Sequence, residues 1–185
     1  MSEAARQLTN WISFAEYLEE EGNAEERHEY IDGKVFQMAG ASERHEIVAG
    51  NLFVAIHQHL KGSQCRVFKG DMKVKVSLHR RDLVYYPDVM VTCDPADSQP
   101  LYKESPKLLI EVMSDYKADH VEKLFAYQQL PSLEQYLVVS QDPNEKQAWL
   151  YQRANDWDQE EGAPNGTIQL DSIDFSIALD EVYES

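Results

Sequence analysis

The chain has no apolar run long enough to cross a membrane, and it has only two cysteines, Cys65 and Cys93, in 185 residues. The N-terminus carries acidic residues where a signal peptide would carry basic ones, and it lacks a continuous apolar core. Two cysteines this far apart predict neither a disulfide framework nor a Cys-x-x-Cys metal site. We therefore expect a protein of a reducing compartment, the cytoplasm, with no membrane association.

Positive charge is also scarce, since 17 Lys and Arg stand against 33 Asp and Glu, giving a formal net charge of −16. This balance argues against generic binding to a polyanion. One stretch, 66–81, departs from it with six bases and one acid: Arg66, Lys69, Asp71, Lys73, Lys75, Arg80 and Arg81. These bases are either the solvated face of a strand pair or a surface that contacts phosphate.

The sequence shows no internal repeat, low-complexity linker or domain boundary, so we expect one domain of residues 1–185. Its predicted parts are a helix and hairpin (10–40), a core (42–153), and a C-terminal strand and tail (154–185). Helical periodicity alternates with short apolar strands, and Asp32-Gly33 predicts a tight hairpin turn. Segment 65–78 reads as a strand or a hairpin. This order predicts an α/β (α+β) fold with a central mixed β-sheet flanked by helices.

A carboxylate interrupts the most apolar of these strands, where Glu111 lies within "PKLLIEVM". A buried carboxylate is costly unless a positive group meets it. The preceding strand begins at Asp88, and a reversing loop joins the two strands. In an antiparallel pair, the residue numbers at opposite positions add up to a constant. If that constant is 88 + 111 = 199 for these two strands, Asp88 lies directly opposite Glu111.

Two ionised carboxylates this close destabilise each other unless a proton or a cation intervenes. A shared Mg²⁺ or Mn²⁺ ion, which prefers hard oxygen ligands, meets that need. The structural alternative is that a lysine holds Glu111 while Asp88 caps the turn after Pro87. The sequence leaves both interpretations open.

This acidic pair resembles the PD-(D/E)XK motif of restriction-endonuclease-like nucleases. The chain is similar to the bacterial Uma family within that superfamily, in an ordered series that covers most of its length. The matching segments are "EYIDGKVFQM", "RHEIVAGNL", "GDMKVKV", "YYPDVMVTCD", "PKLLIEVMS", "DHVEKLFAYQQLPSLEQYLVVSQD" and "IALDEVYE". The resemblance implies a restriction-endonuclease-like fold and metal-dependent hydrolysis of phosphodiester bonds. It adds the backbone carbonyl of Val112 as a further metal ligand.

The sequence departs from the superfamily pattern at the motif lysine, because Met113 stands two residues after Glu111. The resemblance implies that Lys123, from the following helix, replaces this lysine and stabilises the anionic transition state. Val121, Leu124 and Phe125 form the opposite stripe of that helix, so Lys123 should point away from its apolar face. Either the helix is buried on both sides, or Lys123 lies on the surface and pairs with Asp119.

The residues after Glu111 depart as well, because Ser-Asp-Tyr-Lys (114–117) replaces the family's usual Ser-Pro-Ser-Thr. Lys117 is thus another candidate for the missing cation. Weaker candidates for the site are Glu29 in "EYIDG", His45 and Glu46 on the long helix, and Asp71 and Lys73 in "GDMKV". His45 matches a position that the family usually fills with His, where it serves as a proton shuttle or as an ordinary helix contact.

The main functional hypothesis is a Mg²⁺-dependent endonuclease acting on nucleic acid, foremost DNA. Its metal ligands are Asp88, Glu111 and Val112, and Lys123 is its stabilising cation. The alternative is a noncatalytic binding or assembly module on the same fold, favoured by the acidic composition and the missing motif lysine. A structural homodimer is a third possibility, suggested by the aromatic and apolar residues of the tail.

Overall fold

The computed structural model describes residues 11–113 and 119–184. The helices in these ranges are α1 (Phe14–Glu21), α2 (Glu43–His59), α3 (Asp119–Tyr127) and α4 (Leu179–Val182). The strands are β1 (His28–Ile31), β2 (Lys34–Gln37), β3 (Arg66–Lys69), β4 (Lys73–Leu78), β5 (Arg81–Tyr85), β6 (Val89–Thr92), β7 (Tyr102–Lys103), β8 (Pro106–Met113), β9 (Gln135–Ser140), β10 (Ala148–Gln152), β11 (Gln159–Glu161), β12 (Thr167–Leu170) and β13 (Phe175–Ala178). No helix in the described ranges is long and apolar enough to span a bilayer.

The strands form two main sheets and a small hairpin. The larger sheet has the order β11-β10-β9-β8-β6-β3, and it is mixed because β8 runs parallel to β9 and antiparallel to β6. A second sheet has the order β2-β1-β5-β4-β7. Strands β12 and β13 pair with each other. The predicted α/β (α+β) class with a mixed sheet and flanking helices is confirmed.

Strand β8 lies at the centre of the larger sheet and is buried on both faces. Leu108, Ile110 and Val112 pack on one side with α2 and the β12–β13 hairpin. On the other side, Leu109 packs with residues from α3 and the second sheet. Because side chains alternate along a strand, Glu111 points to the same face as Leu109, toward α3.

Local chemistry explains where several elements begin. The side chain of Ser13 accepts from the amide of Glu16, and the Glu16 carboxylate accepts from the Ser13 amide, which forms a capping box at the start of α1. At the start of α2, the side chain of Ser42 accepts from the amide of His45. The predicted Asp32-Gly33 turn joins β1 to β2, where both turn residues have positive φ (50° and 89°).

Segment 65–78 contains two strands, but its interpretation as a hairpin is wrong. β3 pairs with β6 in the larger sheet, whereas β4 pairs with β5 in the second sheet. The chain therefore crosses from one sheet to the other near Gly70, which has a φ of +69°. The hairpin in this region is β4–β5, with Leu78 opposite Arg81.

The number and spacing of the cysteines predicted no disulfide framework, and they gave no sign of the single bond that the structure contains, between Cys65 and Cys93. The β3–β6 register pairs Arg66 with Thr92, so one further step places Cys65 opposite Cys93. Sheet pairing thus brings together two cysteines that are 28 residues apart in the sequence. Cysteine usage no longer supports a reducing compartment.

Candidate active site

The predicted register between β6 and β8 is confirmed. Val89 pairs with Ile110, and Met90 pairs with Leu109, both with a residue sum of 199. One step beyond the end of β6, the same register brings Asp88 opposite Glu111. The two carboxylates therefore lie side by side at the ends of adjacent strands, and both line one cleft.

The backbone and α2 together fix the orientation of Asp88. The amide of Val112 donates to Asp88 Oδ2 at 2.7 Å, and Nε2 of His45 lies 3.1 Å from the same oxygen. The amide of Gly70 donates to the carbonyl of Asp88 at 3.1 Å, which ties the end of β3 to this residue. The other carboxylate oxygen, Oδ1, accepts no hydrogen bond from the described residues.

Two donors from α3 hold Glu111. Tyr127 donates its hydroxyl to Glu111 Oε1 at 2.9 Å, and Lys123 Nζ lies 3.2 Å from the same oxygen. Burial raises the pKa of Glu111 to about 7, and nearby Asp88 and Glu29 add to this effect although Lys123 opposes it. Within the described part of the chain, no donor reaches Glu111 Oε2.

Lys123 points into the protein, between two carboxylates. Its Nζ lies 3.0 Å from Glu29 Oε1 as well as 3.2 Å from Glu111 Oε1, and its side chain is only 13% exposed. Burial opposes the ammonium charge, but Glu111 and Glu29 outweigh it and raise the pKa of Lys123 well above its usual range. Lys123 therefore stays charged in this position.

The orientation of α3 matches neither alternative that helical periodicity offered for Lys123. The helix turns its polar side, with Lys123 and Tyr127, toward the sheet. Part of its apolar stripe faces outward, since Val121 is 42% exposed and Phe125 is 65% exposed. The attraction between Lys123 and two buried carboxylates accounts for this inverted arrangement. If the helix turned Lys123 outward, the carboxylates would be left buried without a positive partner.

The donor set around Asp88 and Glu111 fits a hard divalent cation. In the part of the chain that the structure describes, no group of three or more His, Cys, Asp or Glu side chains could hold a metal by itself. Mg²⁺, however, is usually bound through one or two carboxylates and keeps several waters. The N–H and C=O of one strand residue point to the same side, so the carbonyl of Val112 lies on the edge where its amide meets Asp88.

The cleft over this pair has a volume of about 1050 Å³. Its walls come from the β1–β2 hairpin, the β4–β5 hairpin, the N-terminus of α2 and one side of α3. Ser42 donates to the side chain of Gln141 at 2.8 Å and so fastens the start of α2 beside the end of β9. Met113, at the motif lysine position, also lines the cleft.

The structure brings some of the weaker candidates to the site and leaves others at its rim. Glu29 contacts Lys123, and His45 contacts Asp88. Glu46 instead pairs with Lys69 at 2.7 Å, and this contact lowers the pKa of its carboxyl. Asp71 is at the rim, 90% exposed and 3.5 Å from Arg27.

Of the three remaining candidates, the structure describes the side chain of Lys73 alone, and it does not line the cleft. Lys73 lies over the ring of Tyr86, with its Nζ 5.0 Å from the centroid. Lys117 and the side chain of Asp119 lie outside the described residues, so the structure does not address their roles.

The basic stretch 66–81 is divided between two sheets, because β3 belongs to the larger one and β4 and β5 belong to the second. Most of its cations also meet acids or carbonyls of the same chain. Lys69 pairs with Glu46, Lys75 pairs with Asp82 and Glu104, and Arg81 pairs with Asp32. Arg66 donates to the carbonyl of Asp97. This arrangement favours the solvated strand face for most of these bases, whereas Lys69 and Arg81 line the cleft.

Sequence reasoning did not identify Tyr127 as part of the site. This tyrosine is fully buried and donates to Glu111. Its position four residues after Lys123, on the same side of α3, was a usable signal once Lys123 was assigned to the interior. Tyr85 was missed as well, and its hydroxyl lies 3.4 Å from Glu122 at the edge of the cleft.

Comparisons with known proteins agree with this architecture. The crystal structure of a "putative nuclease belonging to DUF820" from Anabaena variabilis ATCC 29413 has a similar fold, with a TM-score of 0.71 at 15% sequence identity. The match covers 93% of this chain and 97% of that one.

Two proteins of Synechocystis sp. (strain ATCC 27184 / PCC 6803 / Kazusa) are similar in sequence, and both are uncharacterized. One, slr1290, is 31% identical over 175 residues, which cover 93% of this chain and 91% of the relative. The other, sll1609, is 31% identical over 138 residues, covering 72% and 77% respectively. The Uma2 family model, described as "Putative restriction endonuclease", matches residues 14–180. The chain belongs to the Uma2 family.

Proposed function

We propose that this protein is a Mg²⁺- or Mn²⁺-dependent endonuclease that hydrolyses phosphodiester bonds of nucleic acid, foremost DNA. The observation that carries the proposal is the convergence of Asp88 and Glu111, each with one oxygen anchored and the other accepting no hydrogen bond from the described residues. A dication at this pair is the economical neutraliser, and the family gives the reaction class. Asp88, Glu111 and the Val112 carbonyl would hold the ion.

A bound dication would polarise the phosphate and lower the pKa of a water molecule. The protein's own residues supply the geometry for that chemistry. Val112 and His45 hold Asp88 by one oxygen, and Tyr127 with Lys123 holds Glu111 by one oxygen. Lys123 also places a permanent positive charge beside the site, where it offsets the charge of a transition state.

The test is cleavage of a labelled nucleic acid with Mn²⁺ by Asp88→Ala and Glu111→Gln variants. Both substitutions should abolish cleavage while thermal unfolding remains cooperative. Asp71→Ala is the matched control, because this acid lies at the cleft rim and is 90% exposed. Cleavage that survives in either site variant, or is lost equally in the control, would remove the assignment.

The noncatalytic alternative retains one specific observation in its favour. The ammonium of Lys123 is already shared by Glu29 and Glu111 at 3.0 and 3.2 Å, so it is not free to contact a phosphate. Calorimetric titration with Mn²⁺ separates the two functions. The nuclease requires binding that Asp88→Ala removes, whereas the noncatalytic module requires no metal at millimolar concentration.

A further inference from the structure

One corner of the second sheet, from β1, β2 and β5, lines the cleft and is called its floor below. The register places Glu29 opposite Phe36 and Ile31 opposite Lys34, and Ile31 also pairs with Leu83. Directly paired residues point to the same face, so all of these side chains share the face on which Glu29 meets Lys123. The floor therefore runs continuously from the acidic pair to the tips of the two hairpins.

Phe36 is the aromatic residue of this floor, and its ring is not used by the core. The side chain is half-buried and lines the cleft, yet it packs into none of the three hydrophobic clusters of the described residues. It also makes no ring contact with another aromatic side chain in the described ranges. A flat ring in the same cleft as the proposed metal site, without a ring partner among the described residues, suits the face of a nucleobase.

Cations stand at the far end of the floor. Lys34 is exposed and forms no ion pair within the described chain, and Arg81 pairs only with Asp32 at 3.3 Å. The side chains of Arg81 and Asp32 are 70% and 45% exposed, and exposed pairs of this kind contribute only about 0–1 kcal/mol. A phosphate can therefore replace Asp32 as the partner of Arg81 at little cost.

The charge balance of the cleft disfavours a duplex more than a single strand, because a single strand can also gain affinity from base stacking. Affinity for double-stranded DNA comes mostly from many cations on many phosphates. Among the described residues, the cleft lining instead has seven acids, Glu29, Asp32, Glu46, Asp71, Asp88, Glu111 and Glu122, against five cations, Arg27, Lys34, Lys69, Arg81 and Lys123. Of these cations, Lys34 alone has no acidic partner among the described residues.

The form of the cleft leads to the same conclusion. Its volume of about 1050 Å³ is near the upper end of the range of roughly 300–1,000 Å³ for pockets that enclose small ligands. The faces of stacked bases in a duplex are not available to a recessed ring such as Phe36, whereas those of a single strand are.

We infer that the substrate is single-stranded nucleic acid, bound with a base on Phe36 and flanking phosphates near Lys34 and Arg81. This inference rests on the proposed nuclease function and narrows its substrate class. The strand would follow the floor from the hairpin tips to Asp88 and Glu111. Contacts to base faces and phosphates are tolerant of sequence, so the structure assigns no base preference.

The experiment measures fluorescence anisotropy of labelled 12-nucleotide DNA and RNA strands and of the matching DNA duplex, with Ca²⁺ in place of Mg²⁺. The single strands should bind at least tenfold more tightly than the duplex. Phe36→Ala should weaken single-strand binding on the order of 5- to 100-fold, because one base stack is worth about 1–3 kcal/mol. Phe36→Leu, which keeps an apolar side chain, separates lost stacking from lost folding.

Phe125→Ala is the matched control, since it removes an exposed phenylalanine that does not line the cleft. Equal or tighter binding of the duplex overturns the inference, as does unchanged single-strand binding in both Phe36 variants. Cleavage of the same three substrates with Mn²⁺ tests the function separately. Absence of any cleavage contradicts the nuclease, whereas preferential cleavage of the duplex contradicts only the single-strand inference.

Discussion

Lys123 Nζ lies 3.0 Å from Glu29 Oε1, and this contact joins α3 to the second sheet at the point where Glu111 emerges from the larger one. The same ammonium lies 3.2 Å from Glu111. The side chains of Lys123, Glu29 and Glu111 are 13%, 16% and 7% exposed, so water screens their charges little. The two sheets are thus fastened together beside the cleft by one cation.

Removal of that cation should destabilise the protein strongly. Lys123→Met leaves Glu29 and Glu111 withdrawn from water without a positive partner, which typically costs about 3–5 kcal/mol. Urea unfolding of the metal-free protein at pH 8 measures the loss. Lys107→Met is the matched control, because Lys107 pairs with Glu134 on the surface and should lose less than about 1 kcal/mol. Equal losses in the two variants would contradict the buried role of Lys123.

The metal-free protein should become less stable as the pH rises from about 4.5 to 7. The folded state raises the pKa of Glu111 from its ordinary value of 4.5 to about 7. Between these values the folded protein holds a proton that the unfolded chain has released, so unfolding releases a proton and is favoured by higher pH. Above pH 7 both states are ionised, and the contribution no longer changes.

Urea unfolding of wild type and Glu111→Gln in EDTA, at pH values from 4.5 to 8, isolates this contribution. The variant cannot ionise, so its stability relative to wild type should rise by on the order of 1–3 kcal/mol across the window. If the difference in free energy of unfolding between variant and wild type stays constant with pH, the carboxyl of Glu111 has an ordinary pKa.

Tyr127 should contribute more to stability than the neighbouring Tyr85, although both hydroxyls meet carboxylates. Tyr127 donates to buried Glu111 at 2.9 Å, whereas Tyr85 lies 3.4 Å from exposed Glu122. A hydrogen bond to a charged group is worth about 1.5–3 kcal/mol when well formed. Tyr127→Phe should therefore cost that amount in denaturant unfolding, and Tyr85→Phe should cost less than about 1 kcal/mol. The reverse order would be inconsistent with the observed geometry.

The acidic pair could be predicted from the sequence because two apolar strands and a reversing loop constrain the register. An antiparallel pair joined by a reversing loop has a constant residue sum, and a sum of 199 places the loop at its midpoint. The observed register has that sum, so Asp88 lies opposite Glu111 one step beyond the end of β6. The mixed sheet was predicted from the order of short apolar strands and helical segments along the chain.

Other features depend on contacts that no local pattern encodes. The apolar stripe of α3 predicted the wrong inner face, because the buried charges of Glu29 and Glu111 outweigh the burial of Val121 and Phe125. Helical periodicity measures only the apolar contribution. The disulfide was missed because β3 and β6 are separated by strands of another sheet, so the sequence offers no adjacent pairing.

The Cys65–Cys93 bond should contribute measurably to stability. It closes a loop with a sequence separation of 28 residues, for which the loss of chain entropy in the unfolded state amounts to about 3–4 kcal/mol. The Cys65→Ser/Cys93→Ser double variant should therefore unfold at a lower urea concentration, with a free energy of unfolding reduced by about 3–4 kcal/mol. Thiol titration of the denatured, unreduced wild type should find no free thiol, and two free thiols there would contradict the bond.

Phe125 should be nearly dispensable for folding, in contrast to what its place in the apolar stripe of α3 suggests. Its side chain is 65% exposed, and surface substitutions away from special features usually change stability by less than about 0.5 kcal/mol. Leu133→Ala is the matched comparison, because Leu133 is fully buried in the cluster beneath α3 and should lose about 2–5 kcal/mol. Denaturant unfolding of both variants decides the orientation of the helix. A large loss for Phe125→Ala would mean that α3 buries its apolar stripe after all, and Lys123 would then be turned away from Glu29 and Glu111.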